Sequence, residues 1–265
     1  FTDCMQLYVF FNVFMMKIIY QQNNTAMKSL KIGMILIFAL GISVCTYGQF
    51  RRTVNGNKNV VKERRDAGQF ADLRVSSGID VYLSQGTGES IEVEADENLH
   101  EYILTEIKSG VLHVYTRANI LRAERKRVYV TMKNIRSLST SSAGDIIGQT
   151  PIQADRLELS ASSAGDIKLE VKAREIRVGV SSSGDITLTG EADMLYADLS
   201  SAGDLNAYGL VVREADVSAS SAGDADIYVT EKLTARSSSA GDINYRGNPK
   251  YVDAHSSSAG SVNRK

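Results

Sequence analysis

Apolar and polar residues alternate through most of the second half of the chain. In 157–161 and again in 167–171 every second residue is apolar, and the residues between them are polar. Side chains of a β-strand point to opposite faces with a period of two, whereas an amphipathic helix repeats every 3.6 residues. The pattern therefore predicts strands that bury one face and expose the other.

A short motif of serine, alanine, glycine and aspartate separates these alternating stretches. It occurs in seven copies between residues 137 and 265, and successive copies are 18 to 21 residues apart. The glycines of the motif are Gly144, Gly165, Gly184, Gly203, Gly223, Gly241 and Gly260. A period of about twenty residues has room for two strands and two turns, so the chain is predicted to be a repeat protein.

Each repeat is interpreted as a strand, a tight turn, a second strand and a looser polar turn. In the tight turn, glycine is expected to supply a positive φ and aspartate to hydrogen-bond backbone amides. The looser turn is expected at polar stretches such as 172–175. One repeat has too few apolar side chains for a core, but repeats stacked about 4.8 Å apart share a continuous one. The predicted fold is an all-β parallel β-solenoid.

The residues before the repeats are less regular and are expected to form an N-terminal cap. Alternating runs predict strands at 70–75, 79–83, 90–95, 111–116 and 128–132, with helical turns within 96–107 and a polar loop at 119–126. Ser76 to Asp80 resembles a degenerate copy of the motif. We predict one solenoid domain over 66–265, with its regular repeats in 137–265.

The first fifty residues differ in composition from the rest. Residues 27–48 combine a short basic region with an apolar core of about a dozen residues, the layout of a signal peptide cleaved before Gln49. Residues 1–26 are interpreted as an upstream extension translated from a misassigned start, and 49–65 as a linker. Lipidation of Cys45 and retention of the leader as an anchor are the alternatives. The protein is therefore expected in the periplasm, on the outer-membrane surface or outside the cell.

Net charge and cysteine content limit the expected partners and the expected source of stability. The chain has 30 basic and 31 acidic residues, a net charge of −1, and the part after residue 48 has 27 and 30, which gives −3. Nucleic acid is therefore not an expected partner. Cys4 and Cys45 both precede Gln49. Because the mature chain would then lack cysteine, its stability is expected to come from stacking and not from disulfides.

The aspartates of the motif are the main candidates for site chemistry. Stacking predicts that they form a row of carboxylates along one edge of the solenoid. They are Asp145, Asp166, Asp185, Asp204, Asp224 and Asp242. Carboxylate oxygens bind Ca²⁺, but each coil brings only one carboxylate, and aspartate is common in turns. A structural turn is the preferred interpretation and a Ca²⁺ ladder the alternative; no other cofactor is expected.

Other side chains give weaker leads. Enzymes built on β-helices use paired carboxylates with different pKa values, whereas these aspartates are nearly identical from coil to coil, so no catalytic residue is predicted. The three histidines, His100, His113 and His255, lack metal-ligand spacing. A basic cluster could contact an acidic glycan, although charges in loops are usually solvated. It comprises Arg117, Arg122, Arg125, Lys126 and Arg127.

The order of these segments resembles the head GIN domain family of auto-transporter adhesins, exported proteins common in Bacteroidota. The resemblance is carried by Phe70-Ala-Asp-Leu-Arg-Val-Ser-Ser-Gly-Ile-Asp-Val-Tyr-Leu-Ser-Gln-Gly86, Val93-Glu-Ala-Asp-Glu-Asn98, Gly110-Val-Leu-His-Val114 and the repeats that follow. It implies a right-handed β-solenoid related in shape to pectin-lyase-like helices, and a role in adhesion. No catalytic residues come with it.

These observations favour a noncatalytic exported solenoid that serves adhesion or scaffolding at the cell envelope. A cell-surface glycan or an envelope protein is the expected partner. The alternatives are a carbohydrate-processing enzyme on a β-helix and a periplasmic accessory binding protein. Only three residues follow the last motif copy at 257–262. An edge strand there would invite pairing, so a homo-oligomer through that end is a further hypothesis.

Overall fold

Stacked parallel strands account for most of the described chain. The computed structural model describes residues 52–265, and it forms a β-solenoid of about seven turns. The predicted fold class is therefore confirmed. The predicted upstream extension, the signal peptide and Cys45 lie outside the described residues. Within 52–265, no helix is long and apolar enough to span a membrane.

Nineteen strands follow one another along the described chain. The first nine are β1 (Thr53–Asn55), β2 (Val60–Arg65), β3 (Asp72–Val75), β4 (Asp80–Gln85), β5 (Ser90–Asp96), β6 (Ile103–Lys108), β7 (Val111–Thr116), β8 (Asn119–Arg122) and β9 (Lys126–Met132). The others are β10 (Ser137–Thr140), β11 (Asp145–Gly148), β12 (Ile152–Ser162), β13 (Asp166–Ser181), β14 (Asp185–Leu199), β15 (Asp204–Ala219), β16 (Asp224–Ser237), β17 (Asp242–Arg246), β18 (Tyr251–Ser256) and β19 (Ser261–Arg264).

The first coil of the solenoid is formed by β3 and β4. These strands flank 76–79 and pair in parallel with β10 and β11, so that Asp80 lies opposite Asp145. The degenerate motif copy predicted at Ser76 to Asp80 is therefore a genuine coil turn. Residues 86–136, which separate this coil from the next one in sequence, fold onto its other side.

The inserted residues form the N-terminal cap. On one face, β7 pairs in parallel with β3 and antiparallel with β6. On the other face, β9 pairs in parallel with β4 and antiparallel with β5, and β5 pairs antiparallel with β2. Both strands of the first coil are thus covered, which prevents open-ended pairing at this edge. The helical turns expected within 96–107 reduce to one 3-10 turn, Glu97–Leu99, before β6 begins.

Two segments of the cap differ from the predictions. The residues predicted as a linker, 49–65, contain β1, which pairs with β8, and β2, which pairs with β5. The stretch expected to be a polar loop, 119–126, contains β8 and the first residue of β9. These strands lie at the margin of the fold and expose most side chains, so their sequences lack the alternation that marks a half-buried strand.

The core lies between the two sheet faces and runs the length of the solenoid. Inner side chains stack in rows from coil to coil, each contributing about 1.5–3 kcal/mol when fully buried. One such row consists of Leu157, Ile176, Leu195, Ala215, Leu233 and Val252. Its last member, Val252, is 46% exposed, because β18 is paired only with β16 within residues 52–265.

The tight turns correct one prediction. The two residues before each motif glycine have a positive φ, for example Ser163 at 51° and Ala164 at 58°. The N–H of Gly165 donates to the carbonyl of Ser162 at 3.1 Å. Two successive residues with positive φ are typical of a type I′ turn. The motif glycines are not among the residues with positive φ, so the prediction that they supply it is wrong.

The glycines are needed because neighbouring coils approach closely. A Cβ built on each motif glycine would lie between 2.2 and 3.1 Å from the nearest atom of the preceding coil. On Gly184 it would lie 2.7 Å from the carbonyl carbon of Ala161. Real Cβ contacts are not this short, and backbone atoms held in a ladder cannot easily move. Glycine therefore sets how tightly the turns stack.

The second corner of each coil also differs from the prediction. At 172–175 there is no interruption of β13, which pairs with β12 and β14 on both sides of Arg174. The looser turn predicted there is wrong because the backbone bends while its hydrogen bonds continue to neighbouring coils. In the coils of β13, β14, β15 and β16 the two predicted strands are therefore one long strand with a bend, whereas 149–151 separates β11 from β12 and 247–250 separates β17 from β18.

Charges alternate in sign along this corner. The outward residues are Asp155, Arg174, Asp193, Arg213 and Glu231, each from a successive coil. Arg174 Nε lies 2.7 Å from Asp155 Oδ1, and Arg213 Nε lies 3.0 Å from Glu231 Oε1. Because these side chains are exposed to water, each pair contributes little to stability.

Candidate functional site

The aspartates that follow the motif glycines form one continuous row. Successive members lie directly opposite one another on neighbouring strands, and Asp80 of the first coil extends the six that were predicted. The row is Asp80, Asp145, Asp166, Asp185, Asp204, Asp224 and Asp242. Arg127 lies opposite Asp80 at one end. At the other end the hydroxyl of Ser261 donates to Asp242 at 2.7 Å.

Backbone amides and neighbouring carboxylates set the electrostatics of this row. The N–H of Asp242 donates to the carboxylate of Asp224 at 3.2 Å, so the aspartates bond to the next coil and not only within their own turn. Burial between the stacked coils removes water from the carboxylates of Asp145, Asp166 and Asp204 and raises their pKa values. The adjacent carboxylates raise these pKa values further. Stacked like charges thus oppose the fold at neutral pH.

A metal ion would find few ligands along this edge. Within residues 52–265, no group of three or more histidine, cysteine, aspartate or glutamate side chains is arranged to hold one. Ca²⁺ takes six to eight oxygen ligands, whereas each coil adds a single carboxylate to the row. The structural role of the aspartates stays a prediction. Removing the negative charge of one aspartate tests how the row affects the stability of the fold.

We expect Asp204→Asn to raise the melting temperature by about 1–2 °C at pH 7 and low salt. The pKa of this carboxyl is raised in the folded state, so its contribution to stability is lost as pH rises through that raised pKa. At pH 3, below the ordinary value of 3.8, the group is protonated in both states and the gain should vanish. Differential scanning calorimetry at both pH values measures this.

Asp216→Asn is the matched control for this measurement. The carboxylate of Asp216 accepts a hydrogen bond from Arg236 at 3.1 Å, so its removal should leave stability unchanged or slightly lower at pH 7. An equal gain from Asp204→Asn at pH 3 and pH 7 would contradict the repulsion described here.

A second feature, which we call the serine trough, lies on the outer face of β7, β3, β10 and β12. Its cavity volume is about 530 Å³. One row across the strands consists of His113, Arg74, Ser139 and Ser160, each opposite the next. The next outward positions add further serines, among them Ser162, and Tyr115 lies at the margin. Small side chains on the floor and larger ones at one end make the depression.

Most charged groups around the trough are paired, and the exceptions within residues 52–265 are Arg74 and Glu158, which lies opposite Ser137. Arg136 Nε donates to Asp72 Oδ1 at 2.9 Å. Glu106 has a lowered pKa because it accepts hydrogen bonds from Lys108 and Tyr115, and burial together with that bond raises the pKa of Tyr115. Arg74 is exposed and makes no ion pair with any residue of 52–265.

The predicted basic cluster does not form a single patch. Lys126 Nζ donates to the carbonyl of Gly78, and Arg127 stacks over Tyr82 with 5.4 Å between the guanidinium carbon and the ring centroid. Arg117 lies 3.6 Å from Glu101. These side chains are engaged separately within the cap, so they do not form one continuous cationic surface.

A buried carboxylate in the cap was missed by the sequence analysis. Asp96 is completely buried and accepts backbone N–H groups from Lys58 at 2.9 Å, Glu124 at 2.9 Å and Arg125 at 3.1 Å. It joins the loop before β2 to the loop before β9. The acceptors and donors come from three distant parts of the chain, so no local sequence pattern marks this residue.

Three solved structures from Bacteroides and Parabacteroides species have similar folds. A "putative adhesin" from Bacteroides fragilis has a TM-score of 0.74 and 18% identity, and the alignment covers 80% of this chain and 100% of that one. A "putative adhesin" from Parabacteroides merdae has a TM-score of 0.66 and 22% identity, covering 81% and 99%. A "putative lipid binding protein" from Parabacteroides distasonis has a TM-score of 0.66 and 21% identity, covering 81% and 100%. Identities this low show a shared fold alone.

The family is shown by a match in sequence. No curated protein matches the chain. Residues 69–249, however, match a family model over more than half of the chain, from just before the first coil to just before β18. The resemblance drawn from the motifs is thereby confirmed. The protein belongs to the family described as "Putative auto-transporter adhesin, head GIN domain".

Proposed function

We propose that the protein is an exported, noncatalytic solenoid that adheres to a cell-surface glycan or envelope protein. The family and the similar structures support an adhesin-like role. The observation that carries the proposal is the long row of outward serines beside the tight turns. These are Ser76, Ser141, Ser162, Ser181, Ser200, Ser220, Ser238 and Ser257. Hydroxyl groups both donate and accept hydrogen bonds, as an adhesive surface for polar ligands requires.

The enzyme alternative receives less support from the same coils. A glycoside hydrolase needs two carboxyl groups with different roles and therefore different pKa values. In the aspartate row, burial and neighbouring carboxylates shift the pKa values of Asp145, Asp166 and Asp204 in the same direction. The aspartates occupy the same paired position in successive coils, which favours a repeated architectural role over one singular reactive pair.

Surface shaving tests where the protein acts. We expect brief protease treatment of intact cells that express the full chain to release peptides from 66–265. A variant lacking residues 27–48 is the control, because it should stay inside the cell and yield no such peptides. Peptides released only after the outer membrane is permeabilised would contradict a surface adhesin and favour the periplasmic accessory protein.

A glycan array tests what the protein binds. The purified protein is expected to bind at least one class of envelope or host glycan, and to lose binding after thermal unfolding. Absence of binding on the array, combined with absence of surface exposure, would overturn the adhesin proposal. Turnover of a polysaccharide substrate into shorter or unsaturated products would instead support the enzyme.

A further inference from the structure

The floor of the serine trough has the shape and chemistry of a sugar-binding surface. Its volume of about 530 Å³ lies within the roughly 300–1,000 Å³ typical of ligand pockets. Ser139 and Ser160 lie opposite one another on adjacent strands, and strands lie about 4.8 Å apart. The hydroxyls therefore form a grid that can both donate to and accept from the hydroxyls of a glycan.

The end of the trough has an uncompensated cation. Arg74 lies between His113 and Ser139 in one row, and it makes no ion pair within the described part of the chain. Two acidic groups at this end of the trough are already engaged: Asp72 bonds to Arg136, and Glu106 bonds to Lys108. Glu158, which makes no ion pair in the described part of the chain, lies two strands away from Arg74 on β12. A free guanidinium presents a planar pair of donors that matches a carboxylate.

An aromatic side chain completes the wall beside Arg74. Tyr115 lies two residues beyond His113 on β7 and is half-buried. Its hydroxyl lies near Glu106, and burial together with this carboxylate raises the pKa of Tyr115. Aromatic rings offer an apolar face with a polar edge, which suits the C–H face of a pyranose.

The same features exclude other ligand classes. Polyanions such as nucleic acid require rows of cations to offset successive phosphates, whereas this trough offers one free arginine. A lipid chain requires an apolar lining, but the floor consists mainly of serines. One carboxylate on an otherwise neutral, hydroxyl-rich ligand fits both the charge and the floor.

We propose that the serine trough binds a carboxylated sugar residue of a glycan, with its carboxylate on Arg74 and its hydroxyls on Ser139 and Ser160. This assignment rests on the proposed adhesin function and gives it a ligand class. His113 and Tyr115 flank the bound residue at the cap end of the trough.

Calorimetric titration with two matched trisaccharides tests the assignment. The probes are a trisaccharide of one galacturonic acid and two galactose residues, which carries a single carboxylate, and the neutral galactose trisaccharide. The purified protein is expected to bind the acidic probe at least about tenfold more tightly, because the guanidinium and the carboxylate form charge-assisted hydrogen bonds. Arg74→Gln should remove this preference while leaving the weak affinity for the neutral probe unchanged.

Two controls are supplied by the repeat itself. Arg236 occupies the same outward position six coils further on and is paired with Asp216 at 3.1 Å, so Arg236→Gln should keep the preference. Ser160→Leu should fill the trough and weaken binding of both probes, whereas Ser218→Leu, three coils further along the same row, should not. Melting curves establish that each variant is folded.

Equal affinity for the two probes, or an unchanged preference in Arg74→Gln, would overturn the trough assignment. Binding of other glycans on the array in that case would leave the adhesin proposal standing. Conversely, a preference for the acidic probe that disappears in Arg74→Gln would support the trough even if cells are not protease-sensitive at their surface.

Discussion

Replacement of Gly184 by alanine is expected to lower the melting temperature by about 6–12 °C, for a cost of about 3 kcal/mol. The new Cβ would lie 2.7 Å from the carbonyl carbon of Ala161 and 2.8 Å from the backbone nitrogen of Ser162. These atoms cannot move freely, because the adjacent N–H of Asp185 is bonded to the carbonyl of Gly165 at 3.2 Å. The coils would have to separate locally. Thermal unfolding followed by circular dichroism measures the shift.

Gly179→Ala is the matched control, since Gly179 lies in β13, the strand that leads into the turn at Gly184. A Cβ at Gly179 would meet no atom within 4 Å, so the melting temperature should change by no more than about 1 °C. If both variants lowered it equally, the loss would reflect the backbone freedom of glycine, and the close approach of coils would not be its cause.

Asp96→Ala is expected to destabilise the cap by about 3 kcal/mol. The substitution leaves the backbone N–H groups of Lys58, Glu124 and Arg125 without their acceptor. Exchange of these three amides with solvent should accelerate by about a hundredfold, since 1.4 kcal/mol corresponds to roughly a factor of ten in an opening equilibrium. Hydrogen exchange with residue resolution provides the measurement.

The effect of Asp96→Ala should be local to the cap. Amides of the regular coils, such as that of Ile186, should exchange at an unchanged rate because repeat units interact mainly with their neighbours. Asp66→Ala removes an exposed carboxylate and should leave all these rates unchanged. If Asp96→Ala accelerated amide exchange equally along the whole solenoid, the stabilising effect of the buried carboxylate would not be limited to the cap.

The regular coils were predictable because each repeats the same local pattern. Alternation marked the inner faces of β12 and β13, and the motif marked the turns, including the degenerate copy at Ser76 to Asp80. The role of the glycines was not predictable in the same way. Glycine is favoured both where φ is positive and where a neighbouring backbone lies too close for a Cβ. Only the stacked structure, in which Gly184 lies against Ala161, shows that the second reason applies.

The serine trough was less accessible from the sequence than the aspartate row. The aspartates recur at one position of the repeat, so stacking alone predicts their alignment. Arg74 and Ser139 are 65 residues apart in the chain and become neighbours because β3 pairs with β10 across the inserted cap. His113 joins them because β7 then pairs with the other side of β3. Local patterns do not encode which distant strands pair.

The alternating charges at the bend of each coil bear on the order in which coils stack. Neighbouring coils have similar turns and lengths, so skipping one coil would preserve most backbone pairing. That error would place Arg174 against Arg213 and Asp155 against Asp193, and like charges opposite one another are unfavourable. Skipping two coils would restore opposite signs. The charges at this corner therefore disfavour strand pairing that skips one coil. They do not disfavour pairing that skips two coils, so the fit of core side chains must exclude that arrangement.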